Sequence, residues 1–357
     1  MRRARVKLAG LVATLVCITL VSAVVDASES QAVSRGKLPA VTLNGDGSTF
    51  QLNYTQAVIS AFKERQPLVT VNYQGVGSAR GLDDFANQRV DFAGSDTPFT
   101  SESAAAAKGG SFLYFPTVAA PIAVSYNLPG ISDLKLSPDT IAEIFQGEIK
   151  TWDSAPIAVE NPNLSLPSIP IVVAHRADGS GTTQNFTRFL TEAAPATWAL
   201  GSGATVNWPA DSQGGAGNFG VAQIVLTTKG GIGYVDYADA SALVLQNAAI
   251  KNAAGRYISP SLESAAAALA NVLVNRDLTL DPINAAEPDA YPITAATWLL
   301  VYRCQPDPRK AAALRALLRF TYTAGQQPPE DIGFVTLGER FVRPARAQIR
   351  EIVNAPC

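Results

Sequence analysis

The sequence predicts an α/β fold divided into two lobes, and three observations support this. Three segments share one local order: a β-like run, a turn rich in Gly, Ser and Thr, then a helical run. Two long apolar extended stretches, at residues 112–126 and 292–302, have the character of strands that cross between lobes. A chain of 357 residues exceeds one typical domain and suggests about two. We therefore place lobe 1 at residues 41–120 and 291–357, and lobe 2 at residues 121–290.

The first lobe begins with alternating strands and helices. Residues 41–43 are predicted to form a strand, and residues 51–65 a helix with apolar side chains along one face. Residues 69–73 alternate apolar and polar as a half-buried strand does, a short helix follows at residues 82–86, and residues 90–93 form the next strand. This alternation is the α/β pattern with right-handed crossovers.

In the second lobe, one helix carries the clearest boundary signals. Ser137 is a favourable N-cap, Pro138 suits the first helical position, and Gly147 follows the last turn. The other expected elements are a strand at 169–174, a helix at 182–190, a loose loop at 214–220, a helix at 221–227, a strand at 232–237, an Ala-rich helix at 262–274, and two closing amphipathic helices near 309–320 and 339–353.

The N-terminus has the pattern of an export signal. A basic segment at residues 1–7 precedes an apolar stretch, so we expect a signal peptide at residues 1–27 and a flexible lead-in at residues 28–40. An uncleaved membrane anchor is the alternative, because the apolar run is nearly long enough to span a bilayer. A lipid anchor on Cys17 is disfavoured, since an apolar valine precedes it where lipoprotein signals have a small residue. We expect an exported protein, in the periplasm or on the outer face of the cell membrane.

The charge balance and the cysteine and histidine content exclude several classes of partner. Removing residues 1–27 takes four basic residues and one acid from totals of 28 and 30, which leaves 24 and 29 and a net charge of −5. This balance argues against nucleic acid or an anionic membrane as the main partner. Cys304 and Cys357 remain, as a disulfide or as two independent thiols. His175 is the only histidine and no CxxC spacing occurs, so we expect no metal site and no cofactor.

Three turns carry the candidate site: residues 45–50 (GDGSTF), 75–81 (GVGSARG) and 178–183 (DGSGTT). Each would place backbone N–H groups and a small hydroxyl at the beginning of a helix, where the unpaired amides and the helix dipole favour an anion. Helix capping alone would explain any single hydroxyl. Because few catalytic side chains accompany them, the three turns together predict a site that holds an oxyanion without transforming it. The hydroxyls concerned are those of Thr49, Ser78, Ser180 and Thr182.

Three charged residues lie on or beside these turns. Arg176 offers a planar fork that suits a tetrahedral oxyanion, and Asp178 would steer that fork, although a surface ion pair is the alternative. Asp96 fits a ligand that carries a proton to donate, as monohydrogen phosphate does and fully ionised sulfate does not. Asp96 would then reject sulfate through repulsion between lone pairs. The alternative role for Asp96 is to cap a helix that begins at Pro98.

Seven strings of this sequence resemble the bacterial periplasmic or surface phosphate-binding proteins of the PstS type. They run in the family's order across nearly the whole mature chain. The strings are residues 45–50 (GDGSTF), 72–78 (NYQGVGS), 90–96 (VDFAGSD), 144–152 (IFQGEIKTW), 176–182 (RADGSGT), 231–237 (GIGYVDY) and 291–294 (YPIT).

This resemblance implies a two-lobed periplasmic-binding-protein ("flytrap") fold, with each lobe a mixed sheet flanked by helices and two strands crossing between the lobes. It also implies capture of inorganic phosphate between the lobes, delivery to the membrane subunits of an ABC permease, and no enzymatic activity. We expect a monomer. Carried over position by position, the implied phosphate contacts are Thr49, Phe50 (through its backbone), Ser78, Asp96, Arg176, Ser180, Gly181 and Thr182, with Asp178 as the partner of Arg176.

Two residues depart from the family pattern, and two other functions stay open. Gln51 stands where a proline is usual, and Arg80 adds a cation that either alters affinity or points outward. One alternative is the same fold binding sulfate, molybdate or a phosphonate. The other is a secreted phosphatase or serine hydrolase using Ser180. The sequence argues against the hydrolase, because residues 178–182 lack both glycines of G-x-S-x-G and no P-loop occurs.

Overall fold

The computed structural model describes residues 36–326 and 330–355. The predicted signal peptide at residues 1–27 lies outside the described residues. So does Cys357, and with it the question of whether Cys304 is paired to it. None of the helices in the described ranges is long and apolar enough to cross a membrane.

A mixed sheet forms the centre of the molecule. Its strand order is β2-β1-β3-β12-β4-β8-β6-β7, with β9 also paired to β4, while β5, β10 and β11 form a separate small sheet. The strands of the described residues are β1 (Val41–Gly47), β2 (Val69–Gly75), β3 (Phe92–Ser95), β4 (Phe112–Tyr126), β5 (Lys135–Leu136), β6 (Val172–Arg176), β7 (Gln213–Gly215), β8 (Gly231–Asp236), β9 (Gln246–Asn247), β10 (Ala249–Lys251), β11 (Tyr257–Ile258) and β12 (Thr294–Tyr302).

The long strand β4 belongs to both halves of this sheet. Its residues from Phe112 to Pro121 pair antiparallel with β12, and those from Ile122 to Tyr126 pair antiparallel with β8. Strands β1, β2 and β3 are parallel on one side, and β6, β7 and β8 are parallel on the other. We call the part around β1, β2, β3 and β12 the first domain, and the part around β6, β7 and β8 the second domain.

Helices flank the sheet, so the predicted α/β fold with mixed sheets is confirmed. The helices of the described residues are α1 (Leu52–Arg65), α2 (Ser78–Ala86), α3 (Ser101–Ala105), α4 (Pro138–Phe145), α5 (Ala155–Glu160), α6 (Gly181–Ala193), α7 (Gly217–Thr227), α8 (Tyr237–Ala242), α9 (Leu262–Leu269), α10 (Pro308–Thr321) and α11 (Glu339–Gln348), with short 3₁₀ turns at Ala324–Gln326, Glu330–Ile332 and Ile349–Glu351.

Helix α4 begins where its capping signals predict. The Ser137 hydroxyl accepts a hydrogen bond from the Thr140 amide at 3.3 Å, and Pro138 occupies the first helical position. Both extended stretches predicted to cross between lobes are strands, β4 and β12, and nearly all their residues are buried.

Three elements differ from the sequence prediction. The closing helix predicted at residues 339–353 ends at Gln348 and is followed by the 3₁₀ turn at Ile349–Glu351. The predicted loop at residues 214–220 instead contains part of strand β7 and the first turn of α7. Gly217, between them, adopts a φ of +67° that only glycine reaches easily. The predicted Ala-rich helix at residues 262–274 ends at Leu269. Beyond Leu269 the β-branched residues Val272 and Val274 favour the helix less, and Val274 forms an isolated bridge with Leu280.

The two connections between the domains run side by side. The Ile122 amide donates to the Ile293 carbonyl at 2.7 Å, and the Tyr291 hydroxyl donates to the Ile122 carbonyl at 3.1 Å. Tyr291, Ile122 and Ile293 are all fully buried. Any opening of the two domains must therefore bend the chain near this short, tightly bonded segment.

Candidate functional site

The predicted site residues follow the carboxyl ends of parallel strands in both domains. The turn after β1 carries Thr49, the turn after β2 carries Ser78, and the segment after β3 carries Asp96. The turn after β6 carries Asp178 and Ser180 from the second domain. Ligands of open α/β sheets bind at such carboxyl ends, so the topology brings these residues to one crevice.

Asp96 is buried, with 3% of its surface exposed. The Ser48 hydroxyl donates to its Oδ1 atom, and the Ser78 hydroxyl donates to its Oδ2 atom at 3.1 Å. The Asn185 side chain of the second domain donates to the Asp96 carbonyl at 2.9 Å. The alternative role as a helix cap is wrong, because the next helix begins at Ser101 and is capped by Thr100.

The ionisation of Asp96 reflects these surroundings. Burial raises the pKa of Asp96 to about 6, while the hydrogen bonds from Ser48 and Ser78 and the charge of Arg176 act in the opposite direction. The carboxylate is therefore ionised at neutral pH and can accept a further proton-donating ligand.

Arg176 and Asp178 form an ion pair inside the molecule. The arginine Nε donates to Asp178 Oδ1 at 2.8 Å, and a second guanidinium nitrogen donates to Oδ2. The arginine side chain is 1% exposed, so the alternative of a surface ion pair is wrong. Burial acts to raise the pKa of Asp178, but the hydrogen bond and charge of Arg176 and the Gly217 amide outweigh it, and the pKa is lowered.

The two domains touch each other at the predicted turns. The Ala79 amide of the first domain donates to the Gly179 carbonyl of the second at 3.2 Å. A Cβ atom on Gly77 would lie 2.5 Å from Asp178 Oδ2, and one on Gly181 would lie 2.6 Å from Ser78 Oγ and 2.8 Å from the Cβ of Asp96. Glycine at these positions therefore permits the close approach of the two domains.

Two predicted hydroxyls are linked through a residue that the sequence interpretation missed. Asn218, fully buried at the beginning of α7, donates from Nδ2 to Thr49 Oγ1 at 3.1 Å and to Thr182 Oγ1 at 3.2 Å. The sequence analysis assigned residues 214–220 to a loop and therefore did not single out Asn218. The polar residue directly after Gly217 was a signal that could have identified it. Ser48 was also missed, because its neighbour Thr49 carried the family match.

Three more of the predicted site residues, Ser180, Gly181 and Phe50, lie at the beginnings of helices. The Ser180 hydroxyl accepts from the Thr183 amide at 3.1 Å and so caps α6, whose first residue is Gly181. The Phe50 amide donates to Ser48 Oγ at 3.0 Å. These residues therefore lie on the turns that meet between the domains, and their role as phosphate contacts stays a prediction.

The two departures from the family pattern have different outcomes. Gln51 is fully buried and donates to the Trp298 carbonyl at 2.9 Å while accepting from Thr117 at 3.0 Å, which ties α1 to β4 and β12. Arg80 points outward, with a side chain that is 61% exposed and pairs with Asp84 at 2.5 Å. Arg80 is therefore not part of the crevice.

The described residues do not bring potential metal ligands together. No group of three or more His, Cys, Asp or Glu side chains within residues 36–326 and 330–355 is arranged to hold a metal ion. His175 has its ring stacked on Trp208, with centroids 5.2 Å apart. Its Nδ1 lies 3.0 Å from the Arg176 carbonyl.

Known proteins resemble this chain over most of its length. The PBP superfamily domain matches residues 28–324. The phosphate-binding protein PstS 3 of Mycobacterium leprae is 36% identical over 319 residues, which cover 87% of this chain and 86% of that protein. The phosphate-binding protein PstS of Pasteurella multocida is 34% identical over 322 residues, covering 88% and 92%. A high-affinity periplasmic phosphate-binding protein, PfluDING, solved with bound phosphate, superposes with a TM-score of 0.72 at 25% identity, covering 86% of this chain and 94% of that one.

Proposed function

Because this chain belongs to the PstS family of phosphate-binding proteins within the PBP superfamily, we propose that it captures inorganic phosphate between its two domains. It would then deliver the phosphate to the membrane subunits of an ABC permease. The observation that carries this proposal is that one crevice contains both a buried acceptor, Asp96, and a buried cation, Arg176.

The crevice suits a tetrahedral oxyanion. The Arg176 guanidinium is already oriented by Asp178, so little side-chain entropy is lost when it binds an anion. Helix α6 directs its N-terminal amides at the same place, where an anion is favoured. The proposed contacts are Thr49, Phe50 (through its backbone), Ser78, Asp96, Arg176, Ser180, Gly181 and Thr182.

Asp96 favours phosphate over sulfate. An ionised carboxylate can only accept hydrogen bonds, and monohydrogen phosphate offers a P–OH proton where sulfate has none. A sulfate oxygen facing Asp96 would be repelled by its lone pairs and charge. Several charge-assisted bonds, less the costs of desolvation and closure, would leave about 8 kcal/mol, a micromolar or tighter site.

The proposal extends to the domain organisation and location. We infer that residues 41–120 with 291–357 form one lobe, that residues 121–290 form the other, and that they close on the ligand about the paired crossing segments. The protein would act outside the cytoplasm as a monomer, after export directed by residues 1–27. It would not be an enzyme, because binding and release need no covalent step.

Calorimetric titration tests the ligand directly. The mature chain would be unfolded and refolded to remove bound ligand, then titrated with phosphate and with sulfate at pH 7. We expect tight one-to-one binding of phosphate and no heat of binding with sulfate. Sulfate binding in place of phosphate would contradict the proposed ligand, and turnover of a phosphomonoester that is lost in Ser180→Ala would contradict the non-enzymatic role.

A further inference from the structure

Asn218 lies at the junction of both domains and has no role in the residue set above. It is the second residue of α7, fully buried, and its neighbour Gly217 donates its amide to Asp178 Oδ1 at 3.0 Å. The acid that steers Arg176 therefore also fixes the beginning of α7. This contact aims the Asn218 side chain at Thr49 in one domain and Thr182 in the other.

The hydrogen bonds around these two threonines use all of their acceptor capacity. Thr49 Oγ1 accepts from the Asn218 amide at 3.3 Å and from its Nδ2 at 3.1 Å. Thr182 Oγ1 accepts from Asn218 Nδ2 at 3.2 Å and from Arg176 Nη1 at 3.5 Å. A hydroxyl has two acceptor lone pairs and one proton, so each threonine keeps only its proton for a further partner.

We propose that Asn218 is a positioning residue that makes the hydroxyls of Thr49 and Thr182 donors toward the anion. This inference rests on the proposed phosphate site. The carboxamide supplies two N–H donors without adding charge, and its Oδ1 atom finds no hydrogen-bond partner among the described residues. The Asn218 side chain therefore orients two hydroxyls through its Nδ2 atom, while its Oδ1 atom accepts no hydrogen bond within the described residues.

The same side chain links the domains. Asn218 belongs to the second domain and Thr49 to the first, so their bonds form only when the two approach each other. Nearby, the Asn53 side chain donates to Asp239 Oδ1 at 3.3 Å across the same mouth of the crevice. Asn218 therefore couples closure of the domains to the orientation of the ligand-facing hydroxyls.

Replacement of Asn218 by Asp tests the direction of these bonds. Asp has nearly the same shape, but its carboxylate accepts where the amide donates, so it would take up both threonine protons and repel the anion. We expect Asn218→Ala to weaken phosphate binding about tenfold, the value of one or two hydrogen bonds. Asn218→Asp should weaken it at least about tenfold beyond Asn218→Ala.

The measurement is calorimetric titration of the refolded full mature chain with inorganic phosphate at pH 7, with folding checked by circular dichroism. Thr227→Ala, an exposed change at the far end of α7, is the matched control and should bind like the parent. Asn218→Ala should cost less affinity in a Thr49→Val background than in the parent, because one of its two partner hydroxyls is gone and only Thr182 remains to be oriented.

The outcomes separate this inference from the proposed function. If the parent binds phosphate but Asn218→Asp binds as well as Asn218→Ala, the donor arrangement is refuted. If Asn218→Ala binds like the parent, Asn218 positions neither hydroxyl. If the losses in the double variant simply multiply, Asn218 does not act through Thr49, and the inference that it orients both hydroxyls is overturned. Failure of the parent itself to bind phosphate would overturn the proposed function instead.

Discussion

Asp96 is the single residue for which we propose a role in selecting the ligand. Its two oxygens accept from Ser48 and Ser78, yet each carboxylate oxygen has a second lone pair that can face a ligand. The opposing group is a guanidinium whose own partner, Asp178, holds it in place. An anion in this crevice would therefore meet donors on most sides and one acceptor.

Asp96→Asn should relax the exclusion of sulfate. An amide can present an N–H donor to a sulfate oxygen, so we expect measurable sulfate binding and phosphate binding weakened about tenfold or more. Titration calorimetry with both anions at pH 7 measures the change. Ser78→Ala is the control, because it removes a hydroxyl beside Asp96 but leaves the carboxylate in place, so it should not admit sulfate. Equal exclusion of sulfate by Asp96→Asn and the parent would contradict the acceptor argument.

The pKa of Asp96 adds a pH dependence to this selectivity. Burial raises that pKa to about 6, so below pH 6 the carboxyl carries a proton that it can donate to sulfate. We expect sulfate affinity of the parent to rise as the pH falls from 7 to 5, and that of Asp96→Asn to stay nearly constant. Sulfate titrations at pH 5, 6 and 7 would show this, and a flat profile in the parent would refute it.

At the scale of elements, the beginnings of helices form the site. Helix α6 begins at the Ser180 cap and helix α2 begins at Ser78, and the turns before them meet at the domain boundary. Glycines at these contacts leave room for the opposing backbone. The local sequence therefore serves a second requirement besides helix initiation, which is close approach between domains.

Gly181→Ala should prevent full closure while leaving each domain folded. Its new Cβ would lie 2.6 Å from Ser78 Oγ and 2.8 Å from Asp96 Cβ, both in the other domain. We expect phosphate affinity to fall about a hundredfold, with the free energy of unfolding without ligand changed by less than about 0.5 kcal/mol. Phosphate titration and urea unfolding measure the two quantities.

Gly338→Ala is the matched control for this change, because a Cβ there meets nothing within 4 Å. It should leave phosphate affinity unchanged. If Gly181→Ala binds phosphate as tightly as the parent, the two domains do not approach this closely in the bound state.

At the scale of the whole molecule, we expect a buried acid beside the site to lower the stability at neutral pH. Asp46 of β1 is 9% exposed, and its Oδ1 has no hydrogen-bond partner among the described residues. Burial, together with the charge and proximity of Asp84, raises the pKa of Asp46 from 3.8 to about 7. Between these values the folded protein holds a proton that the unfolded chain has lost, so stability falls as the pH rises through this window.

Asp46→Asn should remove this penalty. The amide can donate to Asp84 at any pH, so we expect the free energy of unfolding at pH 8 to increase by about 1–3 kcal/mol and to lose its decline between pH 4 and 7. Urea unfolding at pH 5 and pH 8 tests this, with the exposed Asp211→Asn as control. An unchanged decline in Asp46→Asn would show that another group causes it.

Ligand binding should stabilise the molecule as a unit. A ligand that binds only the closed, folded protein adds RT ln(1 + [L]/Kd), or about 4 kcal/mol at a thousandfold excess over Kd. Phosphate should therefore raise the thermal unfolding midpoint of the refolded protein by several degrees, and equimolar sulfate should not. Equal shifts by both anions would indicate a general salt effect and not the site.

The local features of this protein could be predicted from neighbouring residues. Three such features depend only on residues close together in the sequence. They are the cap at Ser137, the long apolar strand from Phe112 to Tyr126, and the glycine-rich turns before α2 and α6. The sequence also identified Asp96 and Arg176, first from their chemistry on or beside these turns and then from the family resemblance. Their burial and their common crevice are properties of the fold.

Which polar groups meet depends on how distant segments of the chain pack together. Asn218 touches Thr49 from 169 positions away, and Ser48 reaches Asp96 from 48 positions away, so no local pattern could pair them. The beginning of α7 is likewise held by a distant residue, because the Gly217 amide donates to Asp178 in the turn after β6. Such contacts depend on how two domains pack, and the free energy of that packing is spread over the whole chain rather than encoded in any one segment.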